Sequence, residues 1–152
     1  MRISAKADYA VRAAAELAAA PDGKPIKGEN LSEAQEIPLQ FLEHILLELK
    51  HARLVRARRG ARGGYWLAKP PEDVTLADVI RAVEGPLANI QDIAPEATEY
   101  PGNAAPLRDV WIAVRASLRR VLEQVSLADL RDGNLPDEIG ELIADEGAWI
   151  TR

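Results

Sequence analysis

The tightest constraint on this chain lies between Leu54 and Ala68. Leu54-Val55-Arg56-Ala57-Arg58 alternates in the manner of a half-buried strand, and Tyr65-Trp66-Leu67-Ala68 does the same. Arg59-Gly60-Ala61-Arg62-Gly63-Gly64 lies between them, and its glycines permit the positive φ of a tight reversal. The segment reads as a two-stranded hairpin with arginines at its tip. An isolated hairpin is marginally stable in water, so it has to pack against something else. Val55 and Leu67 are the side chains expected to face that support. The rest of the 152 residues is rich in Ala and Leu with only 5% aromatics, which argues for helices and against a β-sandwich or barrel.

The helical segments before the hairpin follow from caps and periodicity. Ser4 can cap a first helix running to about Ala20, with Tyr9, Val11, Ala14, Leu17 and Ala18 at helical spacing, and Pro21-Asp22-Gly23 stops it. Asn30 is a good N-cap for a short helix from Leu31 to about Gln35. After a break at Glu36-Ile37-Pro38, a third helix runs from about Leu39 to Ala52. It buries Leu42, Ile45, Leu46 and Leu49 along one stripe and leaves Gln40, Glu43, His44 and Leu47 off it. Apolar anchors at Leu31, Ala34, Ile37, Leu42 and Ile45 describe a helix-turn-helix, although Glu36 stands where many such turns carry Gly. A reading helix followed at once by a hairpin is a winged helix. The combination is far more specific than either part.

Beyond the wing, Pro70-Pro71 closes the hairpin, Thr75 and Asp78 form a capping-box pattern for a helix to Glu84, and Gly85-Pro86 breaks it. Residues 86–106 hold Pro86, Pro95, Pro101, Gly102 and Pro106 with little periodicity and read as one long loop. Leu107, Trp111, Val114, Leu118, Val121 and Val125 then step by 4, 3, 4, 3 and 4, a heptad seam widened by Val110 and Leu122. Because the first 70 residues already close a small core, this seam is expected to pair with a second copy rather than with its own domain. Ser126 and Asp129 repeat the cap pattern, and the acidic tail carries Ile139, Leu142 and Ile143 on one face. The expected fold is mainly α. A winged helix-turn-helix domain covers 1–85 and a loop 86–106. A dimerisation helix with its following segment covers 107–130, and an acidic tail 131–152.

Charge divides the chain. Residues 1–70 carry 12 Lys/Arg against 8 Asp/Glu, and residues 71–152 carry 7 against 16, so the net −5 hides a balance of +4 and −9. No acidic residue stands between Lys50 and Pro71, while Lys50, Arg53, Arg56, Arg58, Arg59, Arg62 and Lys69 do. A basic patch confined to one face of an acidic protein fits a polyanion such as duplex DNA, and on charge alone it fits a solvated basic loop equally well. Cysteine is absent, which excludes disulfides, thiolate catalysis, Cys-ligated zinc and ordinary iron–sulfur clusters. No Ser/His/Asp set or carboxylate pair stands out, and Gly60–Gly64 joins strand to strand, unlike a phosphate-binding loop. His44, Glu48 and His51 share a helix face with metal-ligand chemistry, but on a groove-facing helix that chemistry would conflict with DNA. Neither enzymatic activity nor a bound metal or other cofactor is expected. No apolar run approaches the roughly 20 residues of a membrane span. The opening Met1-Arg2-Ile3-Ser4-Ala5-Lys6 lacks the apolar stretch of a secretion signal, so a cytoplasmic location without membrane contact is expected.

Several stretches resemble the Rrf2-type bacterial transcription regulators. They are Met1 to Lys6 with Tyr9-Ala10-Val11, Phe41-Leu42-Glu43-His44-Ile45-Leu46, Gly63-Gly64-Tyr65, Leu67-Ala68-Lys69-Pro70, Asp78 to Pro86, and Leu127-Ala128-Asp129-Leu130. The likeness covers roughly residues 1–130, in order and nearly without gaps. It implies a homodimeric winged-helix protein that binds a dyad-symmetric operator and usually represses, its long helix crossing its counterpart. Iron–sulfur members of the family place cysteines in the loop before the dimer helix. Here Asp92 stands where the first would fall, and Asp8 matches a carboxylate that some members give to the cluster. One carboxylate without thiolates holds no such cluster, so only the DNA-binding part of the resemblance carries over.

Carried over by residue, Leu39, Gln40, Glu43 and His44 begin the reading helix and face base edges. Gln40 suits adenine, and Glu43 suits the cytosine amino group. Arg59, with Gly60 and Arg62 at the wing tip, enters the minor groove. Ser4, Lys6, Lys50, Arg53, Arg56 and Arg58 are phosphate-contact candidates. Input to such a regulator has two readings. An effector pocket between the 86–106 loop and the Trp111-bearing helix is one, although simple seam packing is the preferred role for Trp111. A protein partner on the acidic half, or no sensing at all, is the other. A winged-helix adaptor whose main partner is another protein is the alternative to a DNA reader.

Overall fold

The computed structural model describes residues 1–151, with side chains for all of them except Asp22. Helix α1 spans Ala5–Ala19 and begins where the Ala7 N–H donates to Ser4 Oγ at 3.0 Å. Its buried face is Ala7, Ala10, Ala13, Ala14, Leu17 and Ala18. Side chains this small let neighbouring helices approach closely, and α1 is the hub on which the other elements pack. Helix α2 is Gly28–Gln35 and α3 is Leu39–His51. The wing strands are β1, Val55–Arg58, and β2, Gly64–Leu67, antiparallel with Val55 opposite Leu67 and Arg58 opposite Gly64. Helix α4 is Leu76–Glu84, α5 is Leu107–Leu122, α6 is Leu127–Asp132 and α7 is Asp137–Ile143. Among the described residues, no helix is long and apolar enough to cross a membrane.

The stripe expected on α3 is the centre of the core. Leu42, Ile45, Leu46 and Leu49 are all buried, each burial contributing roughly 1.5–3 kcal/mol relative to an exposed side chain. Leu54 and Val55 are buried on the same core, and Leu67 packs against it from β2. The hairpin is supported as its marginal stability requires.

Several boundaries differ from the sequence reading. Helix α2 begins at Gly28, not after Asn30, which is exposed in its first turn. The cause is a pairing with the wing. The Ile26 N–H donates to Tyr65 O at 2.9 Å and the Tyr65 N–H to Ile26 O at 2.8 Å, so the chain leaves β2's edge and enters the helix at once. Ala34 is exposed and is not an anchor of the turn. Residues 86–106 are not featureless. Single helical turns lie at Pro95–Ala97 and Gly102–Ala104, and Ile90 and Ile93 exchange hydrogen bonds at 2.9 Å around Gln91 and Asp92.

The largest difference concerns the segment after α5. It returns to the N-terminal core. The Leu76 N–H donates to Val125 O and the Leu127 N–H to Val74 O, both at 2.9 Å, so the capping boxes Thr75/Asp78 and Ser126/Asp129 sit side by side. Leu127 is fully buried. Val125 therefore lies past the end of α5 at 4% exposure and is unavailable to a dimer seam. The other seam positions, Leu107, Trp111, Val114, Leu118 and Val121, are half-buried, and α5 has no buried residue at all.

Candidate nucleic-acid interface

The turn between α2 and α3 carries Glu36 in the left-handed region at φ 53°, the position where glycine was the expected residue. It is held from several sides. The Ile37 N–H donates to Ser32 O at 3.0 Å, Ser32 Oγ donates to Ile37 O at 2.5 Å, and Ile37 is buried. Arg12 on α1 donates to Gln35 O and, at 3.1 Å, to Gln35 Oε1, satisfying a carbonyl left free at the helix end. Arg12 also lies 5.3 Å from the Tyr9 ring centre, and Tyr9 meets Phe41 edge-on at 5.6 Å. These contacts from α1 fix the angle at which α3 is presented. Periodicity in α1 alone did not announce them.

Gln40, Glu43 and His44 are exposed on α3, as a reading face requires. Leu39 is half-buried beside Gly28 and is turned partly inward. Phe41 and Leu47 are exposed next to them, apolar side chains that the sequence reading did not count as contacts. Between α3 and the wing runs a cleft of about 370 Å³ lined by Glu43, Leu47, Lys50, Ala57, Arg58, Arg59, Gly64 and Tyr65. The outer side of the wing has a second, of about 550 Å³, lined by Lys50, Arg53, Arg56, Trp66 and Lys69 with Val55, Ala57 and Ala68. Burial, and then the Glu43 and Glu29 carboxylates, push the Tyr65 hydroxyl above the usual tyrosine range. The phenol stays a neutral hydrogen-bonding group in the cleft.

The basic residues fall into two groups. Among the described residues, Lys50, Arg53, Arg56, Arg58, Arg59, Arg62 and Lys69 form no salt bridge. Their charge is not neutralised within the chain. Lys6 differs, since its Nζ lies 2.8 Å from Glu48 Oε1 in a half-buried pair. Ser4 differs too, because its hydroxyl caps α1 and donates to Glu84. Both stand apart from the wing cluster, already engaged inside the chain. A cavity of about 500 Å³ is present in the 86–106 region, lined by residues 96–100, Ala105 and Arg108. Trp111 does not line it.

A helix-turn-helix whose second helix leads straight into an arginine-tipped hairpin defines the winged helix-turn-helix class of regulator. The chain belongs to the Rrf2 family, described as iron-dependent transcriptional regulators, and matches it over residues 3–133. It is 49% identical over 145 residues to a candidate HTH-type transcriptional regulator of Mycobacterium tuberculosis, covering 95% of this chain and 90% of that one. It is 32% identical to the HTH-type transcriptional regulator CymR of Bacillus subtilis, over 86% of this chain and 89% of that one. The solved structure of CymR, the global cysteine regulator of B. subtilis, superposes with a TM-score of 0.72 at 30% identity, covering 87% of this chain and 97% of that one. The structure of IscR from T. potens superposes at 0.69 with 28% identity, covering 100% and 93%. The family and these relatives are transcriptional regulators, not enzymes.

The family description implies iron, and the residues present do not fit it. The chain offers no thiolate. Asp8 is bonded to Arg12 at 3.1 Å, an ion pair one helical turn apart. Glu96 is held by Arg115 at 2.5 Å, and a backbone hydrogen bond followed by that guanidinium keeps its carboxyl below the usual glutamate range. Among the described residues, no three His, Cys, Asp or Glu side chains come together around a common point.

Proposed function

We propose that this protein is a homodimeric repressor that reads a dyad operator through α3 and the wing. The observation that carries the reading is the row of uncompensated cations, Lys50 through Lys69, flanking the exposed face of α3. Gln40 and Glu43 make the base-edge hydrogen bonds, to adenine and cytosine respectively, and Phe41 and Leu47 offer apolar surface to thymine methyl groups. Arg59 and Arg62 enter the minor groove, favouring narrow A·T-rich flanks where the negative potential is greatest. Lys50, Arg53 and Arg56 bind phosphates and supply affinity without sequence information. Ser4 and Lys6 drop out of that set, because the Ser4 hydroxyl proton is already given to Glu84 and the Lys6 ammonium is already paired with Glu48. The dyad follows from the seam on α5, whose side chains a single subunit covers only in part.

The test is selection of genomic fragments on the purified protein, followed by binding at several salt concentrations. A common dyad motif is expected, with affinity falling steeply as salt is added. Arg59→Ala is expected to weaken binding and relax preference in the flanks. A protein that retains no duplex at moderate salt and recovers another protein instead would be an adaptor, and the repressor reading would be wrong.

A further inference from the structure

The apex of the wing is a turn in which the Gly63 N–H donates to Gly60 O at 3.0 Å. A second donor reaches the same carbonyl: Lys27 Nζ, at 2.7 Å, from the residue preceding α2. Lys27 is close because Ile26 exchanges backbone hydrogen bonds with Tyr65, which ties the chain against β2 one residue earlier. On the other side of the turn, Arg58 donates to Arg62 O at 3.2 Å, with its guanidinium 6.0 Å from the Trp66 ring centre. The carbonyls at both ends of the apex are thus held by side chains. Arg59 and Arg62, at the wing tip, take part in no ion pair among the described residues.

We propose that Lys27 is a positioning residue that braces the wing tip and so sets how sharply the protein discriminates between minor grooves of different width. This rests on the reading of the wing as a groove-entering element. A hairpin with strands of four residues is marginally stable by itself, and a tip held by nothing beyond its own turn would follow wide and narrow grooves alike. A tip fixed before binding loses less freedom in the groove that matches it and gains nothing in one that does not. Specificity is the difference between those two affinities. Because Lys27 belongs to the helix-turn-helix side of the molecule, its bond also fixes the wing relative to α3, so the two reading elements move as one body.

A phosphate contact is the competing role for a half-buried surface lysine, and the two roles separate in measurement. Lys27→Met and Lys27→Arg are compared with the wild type in two ways: by NMR amide order parameters at Gly60 to Gly64 in the free protein, and by affinity for two duplexes. The duplexes share a core taken from the selected operator and carry A·T or G·C flanks. Lys27→Met is expected to lower the order parameters. It is also expected to reduce the flank preference about three- to tenfold, the scale of one hydrogen bond, with the salt slope unchanged and recovery in Lys27→Arg. Equal losses on both duplexes with a shallower salt slope would make Lys27 a phosphate contact and overturn the proposal. Unchanged order parameters would overturn it as well. If the wild type binds neither duplex, the DNA reading fails while the order parameters still decide whether Lys27 braces the turn.

Discussion

Helices α2, α3 and α6 end in the same hydrogen-bonded motif. Ile37 to Ser32, Leu54 to Leu49 and Asn134 to Asp129 each close a bond at 3.0 Å, around left-handed residues at φ 53°, 61° and 65°. In α6 that residue is Gly133, the inexpensive choice, but in α2 and α3 it is Glu36 and Arg53. A side chain with Cβ in this conformation is strained, so Glu36→Gly and Arg53→Gly are each expected to stabilise the fold by about 1 kcal/mol, measured by urea denaturation. The two variants should part company in DNA binding. Glu36 touches no cation of the wing cluster, and its replacement should leave affinity intact. Arg53 lines the outer cleft with Arg56 and Lys69, and its replacement should weaken binding while the protein grows more stable. Binding unchanged in Arg53→Gly would take that residue off the phosphate list.

At the scale of elements, the wing depends on two glycines for different reasons. A Cβ at Gly63 would fall 2.0 Å from Arg58 O, and one at Gly64 would fall 2.6 Å from Ile26 O on a backbone at φ 142°. Gly63→Ala therefore has to open the hairpin, at a cost of roughly 1–3 kcal/mol. The expected result is loss of amide protection across Val55–Leu67 and of operator binding, with helical circular dichroism retained; retained protection there would show that the hairpin tolerates the methyl group. The hairpin, the helix-turn-helix and both capping boxes were legible in the sequence because each rests on signals a few residues apart: alternation, stripe spacing, Thr75 with Asp78, Ser126 with Asp129. The Ile26–Tyr65 pairing, the Lys27 brace and the return of α6 to the core were not. Each joins positions far apart in the chain through backbone groups or a single flexible side chain, and neither leaves a periodic trace. Val125 was misread for the same reason. Its heptad spacing is real, but the helix stops at Leu122 and the chain turns to meet Thr75.

For the molecule as a whole, Val114 and Val125 separate the fold of one chain from the proposed pairing of two. Val114 is half-buried on a helix none of whose side chains enters the core, whereas Val125 is 4% exposed beside the α4 cap. A charge at the first should act between subunits, and a charge at the second within one. Val114→Asp is therefore expected to sediment as a monomer with an unaltered melting temperature for the winged-helix domain. A monomer engages only one half-site, so its affinity for the full dyad should fall by about 100-fold or more, while its affinity for an isolated half-site is preserved. Val125→Asp places a carboxylate in the interior and should unfold the domain at ordinary temperature, abolishing binding to both duplexes alike. Sedimentation velocity and the two binding curves together decide the matter. A Val114→Asp protein that remains dimeric would move the interface off α5 and onto another exposed apolar surface, such as that of Leu135, Leu142, Ile143, Trp149 and Ile150 in the acidic tail.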